Sequence, residues 1–218
     1  MARAVWLGLV VLVSLGWAQS APWASGERLV YQVAWQGVGV GRLTFSAESA
    51  GGGWLLRGKL ETTGVMAVSG YGLEVESQMG GDFFTDRFTK NLTEPFKGTT
   101  RLVFQRQEDA GCWANVTYPD GKKGNWRNPS EQVLDDISII YFLRAKPETR
   151  MLNFADFPGL VQGRIEAVSG NNGLLGYRFA RDGLAVEAWF RNDARRTPVR
   201  VVFGRDFGRI EATLIEGR

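Results

Sequence analysis

Two adjacent carboxylates, Asp135 and Asp136, open the run LDDISIIYFLR at Leu134–Arg144, and no other acids in the chain so readily invite a chemical reading. Hydrolysis of a glycosidic bond needs two carboxyl groups converging on one atom pair. Neighbours on a helix point roughly 100° apart, because the helix turns once every 3.6 residues or so. Asp135 and Asp136 therefore do not form such a pair. They suit a helix start instead: acids near the N-terminus oppose the positive end of the helix dipole, Arg144 and Lys146 complement the negative end, and Pro147 stops the helix. Asp135 is placed to accept bonds from backbone amides as an N-cap. A carboxylate-dependent hydrolase acting on envelope glycans is the weakest functional reading.

The chain contains no histidine. That removes Ser-His-Asp and Cys-His nucleophiles, HExxH zinc sites and every histidine-ligated metal. Cys112 is the single cysteine, so neither a cysteine-cluster zinc site nor an internal disulfide can form. Asp82 and Asp86 flank Phe83-Phe84 but lack the spacing of a calcium loop, and no SxxK motif supports a Ser-Lys dyad. No catalytic residue, metal or cofactor is assigned. The 26 basic and 23 acidic residues are scattered rather than gathered in a basic stripe interleaved with aromatics, which argues against nucleic-acid binding.

The elements that carry these residues alternate with period two. Glu27–Trp35 places Leu29, Tyr31, Val33 and Trp35 on one side; Tyr71–Met79 sets Tyr71, Leu73, Val75 and Met79 against Gly72, Glu74, Glu76 and Gln78. One face buried and one wet is the pattern of an antiparallel sheet. Further strands are expected at 40–48, 54–62, 83–91, 99–107, 112–118, 125–127, 160–168, 174–181, 184–191, 198–205 and 209–216. Asp120-Gly121, Asn171-Asn172-Gly173 and Asp182-Gly183 mark turns. About a dozen strands at intervals of roughly 8–12 residues indicate a sandwich or barrel. The fold class expected is mainly β: an antiparallel, single-domain barrel or half-open barrel with one α-helix packed across or into it. In that helix Val133, Leu134, Ile137, Ile140, Tyr141 and Arg144 keep helical spacing. Ile139, Phe142 and Leu143 make it apolar almost all round, so it should be buried on several sides.

The first 20 residues read as a signal peptide. Arg3 precedes an apolar stretch, Ala4 to Trp17, that is short for a membrane span of ~20 residues. Small residues suit cleavage near 18–20, after Ala18 or Ser20, and no cysteine follows that could carry a lipoprotein anchor. The expectation is an exported, periplasmic or envelope-associated domain over 21–218, with no transmembrane span after cleavage. Aromatic residues in the strands either fill the core or line a pocket that a wide barrel leaves open. On the second reading Trp35, Trp54, Tyr71 and Phe104 line an apolar cavity and Ile137, Ile140 and Tyr141 roof it. The ligand would be a lipid or other apolar envelope component. The rival reading is an assembly factor acting on an envelope protein partner.

Three segments together resemble the bacterial exported proteins of the domain-of-unknown-function 3108 family. They are Gly26–Trp35 followed by Gly39-Val40-Gly41, the helix Leu134–Ser138 with Tyr141–Arg144, and Trp189–Asp193 with Arg196-Thr197-Pro198-Val199. The resemblance implies an envelope protein with a barrel-like fold broadly similar to lipoprotein carriers. It also singles out Asp135, Arg144, Asp193, Arg196 and Pro198 as structural positions, with Asp193 and Arg196 expected to pair across a turn. Family members often carry Pro where this chain has Asp136, an exchange that keeps a helix start.

Overall fold

The alternating segments form one continuous meander. A computed structural model describes residues 21–107, 111–156, 159–169, 173–181, 184–205 and 208–218; the expected leader and the turn residues Asn171, Asn172, Asp182 and Gly183 lie outside them. The first run is β1 (Glu27–Trp35), β2 (Val38–Ala50), β3 (Gly53–Thr62), the single-turn helix α1 (Gly64–Val68), β4 (Gly72–Met79), β5 (Thr85–Glu94), β6 (Gly98–Gln107), β7 (Gly111–Thr117) and β8 (Lys123–Asn128). Then come β9 (Val133–Leu134) and α2 (Ser138–Ala145). The second run is β10 (Met151–Asp156), β11 (Gly159–Ser169), β12 (Leu175–Arg181), β13 (Leu184–Phe190), β14 (Pro198–Arg205) and β15 (Gly208–Gly217).

All 15 strands belong to one sheet in the order β8-β7-β6-β5-β4-β3-β2-β1-β15-β14-β13-β12-β11-β10-β9. Each pair of neighbouring strands in the sheet is antiparallel except β9 with β10, which runs parallel. β1 is the hinge of the order, because it pairs with β2 on one side and with β15 on the other. The sheet does not close: β8 and β9 are its two edges, although β8 curls round to approach β11. The chain is thus a mainly β, half-open barrel, as its alternation indicated.

Because consecutive strands reverse, their connections fall alternately at two ends. The β1–β2, β3–β4, β5–β6 and β7–β8 connections share an upper end. The β2–β3, β4–β5 and β13–β14 connections share a lower one. Helix α2 lies at the lower end, since Arg144 reaches Glu27 at the start of β1 and Lys146 reaches the Asp82 carbonyl between β4 and β5. All eight residues of α2 are buried. Around it pack Leu29, Leu56, Met79, Phe88, Phe104, Phe154, Phe179 and Phe190, so the lower barrel is filled by its own chain.

Three features depart from the expected elements. Val133 and Leu134 do not begin the helix but pair with Asn153 and Phe154 as β9, and the helix proper starts at Ser138. β10 was not anticipated; its short alternation, with Leu152 and Phe154 buried, follows the helix end too closely to stand out. Nor was the turn of helix α1.

Close backbone approach explains one glycine in mid-strand. A Cβ built on Gly41 would lie 2.3 Å from the Glu61 carbonyl oxygen, whereas one on Gly39 would meet only the tip of Gln32 at 3.6 Å. Gly41→Ala should therefore cost about 1–3 kcal/mol in denaturant unfolding, and Gly39→Ala should leave the midpoint almost unchanged. Equal midpoints for the two variants would show that the β2–β3 ladder absorbs the methyl group.

Candidate functional site

The apolar helix is held by polar groups at both ends. At its start Asp135, fully buried, accepts two bonds on Oδ1 from the Ile137 and Ser138 backbone amides, both at 3.0 Å. On Oδ2 it accepts the hydroxyls of Ser77 (2.6 Å, β4) and Thr85 (2.7 Å, β5). Ser138 returns the favour, its hydroxyl accepting the Asp135 amide at 2.7 Å. This is the reciprocal logic of a capping box, and it fulfils the capping role expected of Asp135. Asp136 turns away and pairs with the buried Lys90 of β5. The two carboxylates are thus engaged separately, on different partners.

At the far end Arg144 does not merely complement the helix dipole. Its guanidinium is wholly buried and grips Glu27 through two bonds, at 2.5 and 2.8 Å. Nε and Nη2 donate to the Arg195 carbonyl at 3.2 and 3.1 Å. The guanidinium carbon sits 5.1 Å from the ring centroids of both Trp23 and Tyr141, within cation–π range. Burial, reinforced by the Glu27 carboxylate, holds the Tyr141 hydroxyl far above its ordinary pKa, so it stays a phenol. Tyr31 is raised for the same chief reason, and its hydroxyl donates to the Pro198 carbonyl at 2.9 Å.

The turn before β14 serves this end too, though not by the ion pair expected of it. Asp193 accepts the Arg196 backbone amide at 2.8 Å, and the Arg196 side chain donates instead to the Arg144 carbonyl at 2.7 Å. Arg196 caps α2 because an orphan carbonyl at a helix C-terminus needs a donor. Pro198 opens β14.

The proposed lining residues part company. Phe104, Ile137, Ile140 and Tyr141 are all buried in the packed lower half. Trp54 lies at the lower end, edge-on to Trp23 at 5.3 Å. Trp35 and Tyr71 stand at the upper end, Trp35 being 42 % exposed. The seven therefore do not line one cavity; the helix is a plug whose apolar face meets the barrel wall directly.

The upper mouth is different. Leu43, Leu60, Leu73 and Leu92 are register partners across β2, β3, β4 and β5. Val38, Trp35, Ile210 and Phe203 form a second row across β2, β1, β15 and β14. Leu60, Leu73, Leu92, Ile210 and Phe203 are only partly buried and Leu43 is buried, while Leu56, Val75, Phe88, Ala212 and Val201, nearer the plug on the same strands, are all buried. Of this mouth the alternation marked Trp35, Leu43 and Leu73 as inward-facing. Leu60, Phe203 and Ile210 lay in expected strands, but nothing showed that they sit far from the plug. A separate concavity of about 700 Å³ lies on the outer face, lined by Arg28, Arg57, Lys59, Glu74, Arg87 and Arg101 among others. Arg57 there is already bound to Glu48 and Glu76. No group of three or more His, Cys, Asp or Glu able to hold a metal occurs among the described residues.

The family model "Protein of unknown function (DUF3108)" matches residues 30–215. The chain belongs to this family. No curated relative matches it. Among solved structures it is similar to the β-barrel-like protein of domain of unknown function DUF1849 from Brucella abortus. That likeness has a TM-score of 0.57 at 11% identity, covering 89% of this chain and 97% of that one. At such identity the likeness bears on fold alone, and it agrees with the half-open barrel.

Arg144→Met strands a buried carboxylate and should cost about 3–5 kcal/mol; the double variant Glu27→Leu/Arg144→Met should cost much less than the sum of the single losses. Denaturant unfolding of the full cycle measures this, and additive losses would mean the pair is not coupled. Burial pushes the Cys112 thiol up to about 11, against a smaller lowering by the Asn128 backbone. At pH 8, well below that value, the thiol stays protonated, so iodoacetamide should label it slowly until the chain is unfolded. Rapid labelling of the folded protein would contradict the buried setting.

Proposed function

We propose that this chain is an exported, non-enzymatic protein of the bacterial cell envelope that takes a hydrophobic or amphipathic ligand at the upper mouth of its barrel. The ligand class is a lipid or the lipid-bearing part of an envelope lipoprotein. One observation carries the reading: the inner wall is fully buried around α2, whereas in the two register rows at the opposite end Leu60, Leu73, Leu92, Phe203 and Ile210 are only partly buried and Trp35 and Val38 are exposed. Apolar side chains grouped on one end of the inner wall and still partly reached by water favour an apolar occupant, each buried methylene contributing about 0.8 kcal/mol. The ligand rests above α2, so Ile137, Ile140 and Tyr141 belong to the packed floor rather than to its lining.

The leader of residues 1–20 supports export, with its basic start, apolar stretch and small residues before a cleavage point. The engagement of Asp135 by hydroxyls and amides, and of Asp136 by Lys90, supports a non-catalytic role, because neither acid is left to share a substrate atom with the other. Expression of the full chain in a bacterial host, recovery of the exported form and titration with cis-parinaric acid test the reading. Saturable uptake is expected, and Leu73→Asn should weaken it about tenfold. Absence of saturable uptake, or an affinity untouched by the substitution, would overturn it.

A further inference from the structure

The described chain exposes seven large apolar residues, and five of them, Trp35, Val38, Val68, Phe96 and Tyr118, stand at the upper end of the barrel. They come from four separate connections, so topology rather than sequence proximity gathers them. Only Met151 and Ile215 lie elsewhere, at or near the lower end. Scattered exposure would need no explanation; concentration on one rim does.

Phe96 adds an independent observation. Pro95 and Phe96 form the centre of a turn closed by the Lys97 amide on the Glu94 carbonyl at 3.3 Å. Phe96 has φ 61°, a left-handed conformation that such turns usually assign to glycine or asparagine. Its side chain is fully exposed, so no packing within the fold compensates the strain. A strained aromatic held out in water at a loop tip marks a contact made outside the chain. The neighbouring connection, Thr63 to Tyr71, is nine residues long, carries no charge and presents Val68 almost fully exposed.

The charges at this rim indicate the kind of partner. Lys97 follows Phe96, and Lys122 and Lys123 follow Tyr118. Lys97 and Lys122 form ion pairs with Glu94 (3.1 Å) and Asp120 (2.8 Å), but all four side chains are exposed, so these pairs are weak enough for phosphates to compete, and Lys123 adds a further positive charge. Apolar tips beside lysines whose long stems can reach the level of phosphate headgroups match an anionic lipid surface. We infer that the upper rim docks on an anionic phospholipid bilayer, with Phe96 and Val68 entering the headgroup boundary and Lys97, Lys122 and Lys123 meeting the phosphates. This goes beyond ligand uptake and does not depend on it, since a barrel that takes no ligand could still dock.

The test is vesicle co-sedimentation with the exported form of the full chain. Vesicles are made of phosphatidylcholine alone or with a quarter of it replaced by phosphatidylglycerol. Binding is expected to the mixed vesicles and to fall with added salt. Phe96→Ser should weaken it roughly tenfold, and Lys97→Gln with Lys122→Gln and Lys123→Gln should remove the preference for the anionic lipid. Phe96 packs against nothing, so its loss leaves the fold intact, and parinaric acid uptake by the same variant reports the ligand reading separately. Failure of the parent protein to sediment with mixed vesicles overturns the inference. So does sedimentation that the rim variants leave unchanged, and a rim that captures an envelope protein while ignoring both vesicles would assign it to a protein partner instead.

Discussion

The buried bond between Arg144 and Glu27 is the constraint on which the rest of the molecule turns. Removing an ion from water costs several kcal/mol, and a buried pair survives only where its remaining donors and acceptors are met. Here they are met by pieces far apart in sequence: the first residue of β1, the last turn of α2, the Arg195 carbonyl before β14, and the rings of Trp23 and Tyr141. Arg196 reaches back to the Arg144 carbonyl and locks the same corner from the other direction. At the opposite end of the helix Asp135 and Asp136 bind β4 and β5 through Ser77, Thr85 and Lys90. The sheet is not closed by hydrogen bonds between its edge strands, so beyond the β1–β15 ladder and the approach of β8 to β11 its two wings are joined through the helix between them. The plug is the strut that holds an open sheet in the shape of a barrel.

Much of this was legible from the chain alone. Period-two alternation located the strands that build most of the sheet, and the greasy run from Ile137 to Leu143 pointed to a helix buried on several sides. The polar ends were visible only in outline. A carboxylate before a helix reads as a cap, and Asp135 is one. But that Ser77 and Thr85 would meet it depends on β4 and β5 facing the helix from residues 50 or more positions away. Likewise an arginine in a last helical turn reads as a dipole partner, whereas Arg144 is committed to Glu27, 117 residues upstream. Long-range pairings of this kind leave no local periodicity. The seven residues thought to line one cavity failed as a group for the same reason. Alternation tells which face a side chain takes, not how far along the barrel the helix sits, and that distance separates the packed Phe104 from the half-exposed Trp35.

The two ends of the barrel are built on opposite terms. The lower end combines aromatic packing with charge pairs that tolerate little displacement, a combination suited to permanence. The upper end keeps its apolar rows half in water and sets exposed hydrophobic tips on four connections. A single hydrophobic drive therefore has two outcomes in one sheet, satisfied where α2 fills the space and left over where it stops. The helix is eight residues long, about 12 Å at 1.5 Å per residue, against strands of up to 13 residues that run about 43 Å when extended. A plug of that length lying across one end cannot cover the inner wall to the other. The apolar mouth follows from this mismatch in length as much as from the residues that line it.

The polar anchors also answer a problem that the helix creates for itself. An α-helix apolar on every side gains nearly the same burial in many rotations and at several depths, so hydrophobic burial alone does not choose among them. Buried charged groups do choose, because any seating that separates Arg144 from Glu27, or Asp135 from the Ser77 and Thr85 hydroxyls, leaves a buried charge short of partners. Replacing these groups with hydrocarbon could raise stability while losing the single seating. The Arg144 contact holds one end of the helix at the Glu27 corner, while Asp135 and Asp136 hold the other at separate points of β4 and β5, the Ser77 and Thr85 hydroxyls and Lys90. Three such restraints fix rotation and depth together, and the position of the upper mouth is set with them.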